Sequence, residues 1–421
     1  MLKSNCLLVE INGAIRRISM EDFETAMNEG QAELLHQVAW GIPLKDATQT
    51  SPAWGLVGNI AAWQSYKAKI GRYLMDPNGR AAKLHPNNSG IYADGTTLDE
   101  TKGSIVVIAP RLYYLVQTDA ETSIPYLWCS EFPISAHYIG NADNGNRIVL
   151  GAYKGSITSG KLVSRSGVDF DTSSKTISGY WNAAQTFGSN WGLKDYDHVR
   201  WISMLCLAEA NGNANAQASI GQGVGGSAGY DWANITGELK KTGKTKSLGD
   251  ATGTVAITGA QTDSTHVSVC GLEDLWNLQW EFVQGIYFGN SGNSGQDGTE
   301  VFIYDGNRLP SASELASHPD GHFRQLTRLT TNGYAGVMTK GEFFDVIATA
   351  LTGDSNQRWC EYYYGNNTGQ VCLVGGDSNR GSMSGPLCVS SYDAWSDATS
   401  HLGARPAYFG PVTIVDGKDI S

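Results

Sequence analysis

Gly271-Leu-Glu-Asp-Leu-Trp276-Asn-Leu-Gln-Trp280-Glu281-Phe-Val-Gln-Gly285 is the stretch on which the reading of this chain turns. Trp276 and Trp280 are four residues apart. A helical turn stacks such a pair on one face, whereas an extended chain puts both on the same side of a strand. Either arrangement makes them a wall of a hydrophobic core, where truncating a buried ring costs about 3–5 kcal/mol. Residue chemistry alone favours that core role, without ligand contact.

Downstream lies Gly306-Asn-Arg308-Leu-Pro310-Ser-Ala-Ser-Glu314, and further on Leu373-Val-Gly375-Gly376 and Leu402-Gly403-Ala404-Arg405-Pro406. Between Gly376 and Gly403 the chain is dominated by Tyr, Trp, Ser, Asn, Asp and Gly. Such a mixture suits recognition, because Tyr and Trp supply contact area at low entropy cost and short polar side chains supply adaptable hydrogen bonds. An ordinary polar loop has the same composition. Arg405, set between Gly403 and Pro406, is placed to pair with a buried carboxylate and pin the end of this segment. Glu281 is one candidate partner.

Together these motifs resemble C-type-lectin-like domains. The tryptophan stretch is similar to the G-hydrophobic-E-D/N…W-x-W-E signature found in formylglycine-generating enzymes and in phage and bacterial variable proteins. Residues 306–314 resemble the R-L-P-T-x-x-E element of the same superfamily, here placed after the tryptophan motif. The ending resembles variable proteins of diversity-generating retroelements, which close on a G-G turn, a diversified stretch and G-S/A-R. The resemblance covers roughly residues 100 to 412. It implies an α+β, loop-rich C-type-lectin-like fold over 101–421, with a variable segment near 360–403. Residues 1–100 resemble N-terminal regions of structural proteins from phages of gut Bacteroides-type bacteria, and so form the expected attachment and oligomerisation region.

The implied role is that of a tail or head fibre protein in a phage virion, assembled in the host bacterial cytoplasm and non-enzymatic. Its expected partners are a bacterial surface glycan or protein, other virion structural proteins and, as a homotrimer, its own copies. No cofactor and no metal are implied. The ligand-binding residues expected from the bracketed segment are Tyr362, Tyr364, Asp377, Asn379, Ser382, Met383, Tyr392, Asp393, Trp395, Asp397 and His401. Trp276, Trp280, Glu281, Gly375, Gly376, Gly403 and Arg405 are the expected frame.

Bulk composition is compatible with this reading. The 421 residues are 41% hydrophobic, as in an ordinary globular protein. With 51 glycines and only 17% charged residues, turns and ordered loops are expected to outweigh long helices. A net charge of −11 argues against binding a phosphate backbone, which needs clustered Lys and Arg. No apolar run is long enough to span a bilayer. The apolar patch Leu7 to Val9 is too short for a signal-peptide core, so a reducing site of synthesis is expected. The 7 cysteines form no CxxC pair, which favours buried free thiols. A bridge between Cys372 and Cys388 across a hairpin stays open.

Along the chain, Ser19 to Asp22 reads as a capping box. Phe23, Met27, Leu34, Leu35 and Val38 then predict a helix over 19–38. Ile105 to Ile108, Tyr126 to Cys129 and Ile148 to Tyr153 read as strands, with a turn at Asp76-Pro-Asn-Gly79. His198 to Ala208 centres the other long helix. No fixed-period repeat occurs.

Four readings compete with adhesion. The copper-binding oxidases among formylglycine-generating enzymes need two neighbouring thiolates, and this chain has no local cysteine pair. Gly221-Gln-Gly-Val-Gly225-Gly226 has glycine-loop character without the strand–helix context of a phosphate cradle. Asn141-Ala-Asp143-Asn-Gly145-Asn146 looks superficially like a calcium loop but lacks the closing bidentate acid. A purely structural fibre or capsid decoration protein fits the same residues.

Overall fold

The computed structural model describes residues 6–11, 14–19, 32–44, 55–119, 122–141, 147–213, 215–225, 235–257, 264–293, 295–306, 308–317, 322–338, 341–345, 347–355 and 361–420. The fold is mostly β, with few helices and long connecting loops.

Two eight-stranded sheets dominate. The first runs Trp191–Leu193, Pro406–Tyr408, Arg147–Gly151, Ser104–Pro110, Gly71–Met75, Arg80–His85 and Thr413–Val415, with Asn88–Tyr92 beside Arg80–His85. The second runs Phe323–Thr327, Glu300–Tyr304, Trp280–Phe288, Val371–Gly375, Gly385–Ser390, Tyr362–Tyr364 and Gly333–Tyr334. Leu402–Gly403 pairs parallel to Trp280–Phe288.

Both sheets are covered on both faces, and the period-two alternation of a strand shows how. In Ser104–Pro110, Ile105 and Val107 join one core cluster while Val106 and Ile108 join another. Val283, Val374 and Leu387 of the second sheet belong to the first cluster, and Phe282, Leu373 and Cys388 to the second. The helix Tyr196–Glu209 lies in the first cluster and packs against Trp280–Phe288 and Gly385–Ser390. All its residues except Asp197 and Glu209 are buried. A capping box between Asp195 and His198 starts it.

Several expectations need correction. Of the helix expected over 19–38, the described residues show its last part, Ala32–Val38, as helix, while Ser19, expected to start it, ends the strand Ala14–Ser19. Phe23 and Met27 lie outside the described residues. Position 100 falls inside the first sheet's chain path: Gly71–Met75 pairs with Ser104–Pro110, and Thr413–Val415 with Arg80–His85. Cys372 and Cys388 are free thiols, as are Cys129, Cys206 and Cys270, all buried. They share a hairpin but face opposite clusters, because side chains in the two strands point to opposite sides of the sheet. No bridge can join them.

Trp276 and Trp280 are both buried, yet they share neither a helical face nor a strand face. Trp276 belongs to the first core cluster and Trp280 to the second. Positive φ at Asp274 and Asn277 turns the chain between the short strand Leu272–Glu273 and Trp280–Phe288. The two rings therefore serve opposite sides of the sheet. Trp276 donates from Nε1 to Gly221 O at 3.2 Å, and Asn277 from Nδ2 to Gln222 O at 2.9 Å, so the glycine loop is packed onto this turn.

Candidate functional site

The segment between Gly376 and Gly403 is held by a frame assembled from distant parts of the chain. Gly375 and Gly376 have φ of +94° and +77°. A Cβ at Gly376 would lie 2.2 Å from Ser384 Oγ, so the turn out of Val371–Gly375 needs glycine. At the other end, a Cβ on Gly403 would lie 2.1 Å from Gln279 Oε1.

Arg405, fully buried, makes the pair considered from sequence: its Nη2 donates to Glu281 Oε1 at 2.9 Å. The same guanidinium donates to Gly151 O, Ala152 O and Glu273 O at 3.0, 2.9 and 2.7 Å. It thereby ties the end of the segment to the first sheet and to the tryptophan stretch. Lys154 Nζ donates to Glu281 at 2.8 Å, and Lys194 Nζ reaches the other carboxylate oxygen. Burial alone pushes the Glu281 carboxyl up, but Arg405, Lys154 and Lys194 outweigh it and hold it well below its ordinary value. Desolvation brings Lys194 down to about 8, against the pull of Glu281.

On this frame the strand Tyr362–Tyr364 lies between Gly333–Tyr334 and Gly385–Ser390. Tyr363 turns inward and donates to Leu329 O at 2.9 Å. Tyr362 and Tyr364 point the other way, half-buried, with ring centroids 4.6 Å apart. Tyr334 meets Tyr362 edge-on at 5.0 Å, and Trp280 meets Tyr364 edge-on at 5.6 Å. The Arg380 guanidinium lies 4.9 Å from the centre of the Tyr364 ring, and the Tyr364 hydroxyl donates to Met383 Sδ at 3.4 Å. Asn332 accepts from Gly365 N at 2.8 Å and donates to the Tyr392 hydroxyl at 2.9 Å. Tyr392 is 47% exposed. These contacts join Tyr362, Tyr364 and Met383, and Asn332 ties the hydroxyl of the exposed Tyr392 to the backbone at Gly365.

The remaining expected residues sit differently. Asn379 is exposed and Ser382 half-buried beside Met383. Asp377 is only 4% exposed. It accepts from Asn379 N at 3.1 Å, and its carbonyl accepts from Arg380 N at 3.0 Å, so it shapes the turn instead of facing outward. The Trp395 ring packs against Tyr287 at 5.7 Å, and the Trp395 backbone N–H donates to Gln370 Oε1 at 3.3 Å. Asp393 is half-buried, and burial, then the neighbouring Asp397, pushes its carboxyl up to about 6. Asp397 accepts from Ala394 N at 2.8 Å. His401 is half-buried, with a basicity that desolvation lowers, and its carbonyl accepts from Trp280 N at 3.1 Å.

Tyr334, Asn332 and Arg380 were missed from sequence. Tyr334 and Asn332 lie outside the bracketed segment, and only strand pairing brings them to it. Among the described residues no group of three or more His, Cys, Asp or Glu is arranged to hold a metal ion. Residues 142–146 of the calcium-like loop lie outside them. No described helix is long and apolar enough to cross a membrane.

No protein-family model and no curated protein matches the chain. Among solved structures it is similar to the Major Tropism Determinant M1 variant, with 14% identity over 89% of this chain and 83% of that one, at a TM-score of 0.30. The P3c variant gives 13% over 89% and 84% at 0.27, and the I1 variant 14% over 89% and 84% at 0.28. Scores this low do not equate the folds.

Proposed function

We propose that this chain is a non-catalytic adhesin of a phage virion, presenting the Tyr362–Tyr364–Tyr392 face to a bacterial surface glycan or protein. The observation that carries the reading is the contrast between face and frame. Clustered, partly exposed tyrosines with Met383 and Arg380 offer rigid contact area, while the bracketing Gly375-Gly376 turn and Arg405 are locked into a buried network. A surface on ordered loops avoids much of the entropy cost of ordering a flexible one. The motif resemblance supports a C-type-lectin-like scaffold whose 360–403 segment is diversified. Several copies on one particle would multiply weak contacts into avidity.

Replacing residues 362–401 with the corresponding segment of another variable protein tests this. The expected result is particles that assemble normally and bind a different set of bacterial strains. Chimeric particles that keep the original strain range would make the protein a structural fibre.

A further inference from the structure

Away from the tyrosine face, a cleft of about 620 Å³ opens beside the first turn of the helix Tyr196–Glu209. Its other walls are Arg147–Gly151 and the paired strands Glu300–Tyr304 and Phe323–Thr327. Val149, His198, Gln284 and Ile303 on its floor are buried, whereas Tyr138, Asp305 and His322 on its rim are exposed. The cleft shares no lining residue with the proposed display face.

A break in strand pairing shapes the floor. Trp280–Phe288 loses register with Val371–Gly375 between Val283 and Tyr287. Across that break Gln284 N donates to Lys194 O at 2.8 Å, and Gln284 Oε1 accepts from Leu193 N at 3.2 Å. Irregularities of this kind re-aim side chains and concentrate next to functional sites. The volume lies within the range of small-molecule sites, roughly 300–1,000 Å³.

The lining chemistry selects a class of ligand. Most charged groups in and around the cleft are matched in pairs: Asp195 with His198 at 2.6 Å, Asp305 with His322 at 3.0 Å, Asp197 with Arg200, and Asp345 with Arg324, while Arg147 in its wall donates to Val412 O at 3.1 Å. The helix N-terminus is already capped, since Asp195 accepts from His198 N at 3.0 Å. An anionic ligand would therefore meet carboxylates at the position where a phosphate site needs bare N–H groups. Tyr138, Tyr304, Phe323, Phe343 and Phe409 add ring surface among these fixed planar polar groups. Rings beside oriented donors and acceptors suit a neutral molecule with one apolar face and an edge of hydroxyls.

We propose that this cleft is a second binding site, for a neutral saccharide, independent of the display face. The test is ligand-observed NMR and calorimetry on the full chain. The neutral probes are methyl α-D-mannopyranoside, methyl β-D-galactopyranoside, lactose and N,N′-diacetylchitobiose, with N-acetylneuraminic acid and glucuronic acid as charged arms. The expected result is millimolar binding of at least one neutral probe. Tyr138→Ala and His322→Ala should weaken it about tenfold, equivalent to about 1.4 kcal/mol. Both positions are on the exposed rim, so the variants should melt like the parent; Phe409→Leu, which keeps an apolar side chain but removes the ring, should weaken binding as well. Tyr362→Ala and Tyr392→Ala should leave saccharide binding unchanged, which separates this site from the adhesin reading. Binding of none of the neutral probes, a preference for the acidic sugars, or a loss that follows Tyr392 instead of Tyr138 would each overturn the proposal.

Discussion

Glu281 sits at the centre of three buried cations, so its replacement should be the most damaging single polar change in the frame. Glu281→Gln leaves Arg405, Lys154 and Lys194 without a carboxylate, and breaking a buried pair on one side costs about 3–5 kcal/mol. Arg405→Lys keeps a charge but cannot reach Glu281 and three carbonyls at once, so a smaller loss is expected. Urea midpoints of the two variants check the order. Because the folded carboxyl titrates well below the ordinary range, its contribution is complete above that range and disappears as pH falls through the folded value. Glu361 has the opposite sign. Burial, outweighing help from the backbone N–H groups of Glu361 and Ala216, pushes its carboxyl up to about 8. The folded state then holds a proton that the unfolded chain releases at lower pH, so stability falls as pH rises from the ordinary Glu value towards 8. Glu361→Gln should flatten that decline, a difference on the order of a few kcal/mol at alkaline pH. Melting curves at pH 6 and pH 9 measure it, and parallel curves for parent and variant would refute the assignment.

At the scale of the element, the Gly376–Gly403 segment divides into face and frame by burial. Alanine at Asn379, Ser382 or Tyr392 should change stability by about 0.5 kcal/mol or less, since these side chains lie at or near the surface. Asp377→Ala should cost about 1–3 kcal/mol, because buried polar groups of the turn lose their partner. Trp280→Ala should cost about 3–5 kcal/mol. Thermal melts of the five variants separate the classes, and equal damage in all would erase the division. The burial of Asp377 was hidden from composition: the residue type belongs to a paratope, but its contacts to Asn379 and Arg380 belong to a turn.

For the whole molecule, the continuity of the first sheet across position 100 sets what can be removed. A chain beginning at residue 101 loses Gly71–Met75 and Arg80–His85, leaving Ser104–Pro110 with one of its two neighbouring strands and Thr413–Val415 without Arg80–His85. It should fail to give a cooperative melt, which circular dichroism would detect. Oligomeric state is therefore best measured on the full chain. The proposed homotrimer should appear by light scattering at micromolar concentration, and a monomer there would count against a fibre-like role.

What the sequence determined by itself was local. The apolar run at Ser104–Pro110, the helix around His198 to Ala208 and the tryptophan stretch as core were legible, because short-range periodicity and ring size act within a few residues. The motif ending singled out Arg405, and Glu281 was already a candidate partner. Tertiary structure alone sent Trp276 and Trp280 to opposite cores, brought Tyr334 beside Tyr362, and surrounded Glu281 with Lys154 and Lys194. It also formed the cleft beside Tyr196–Glu209 from segments as distant as Tyr138 and Phe409. The reason is that alternation along a strand reveals two faces but not the neighbour each will meet. That choice depends on which strands pair across hundreds of residues, and no local pattern encodes it.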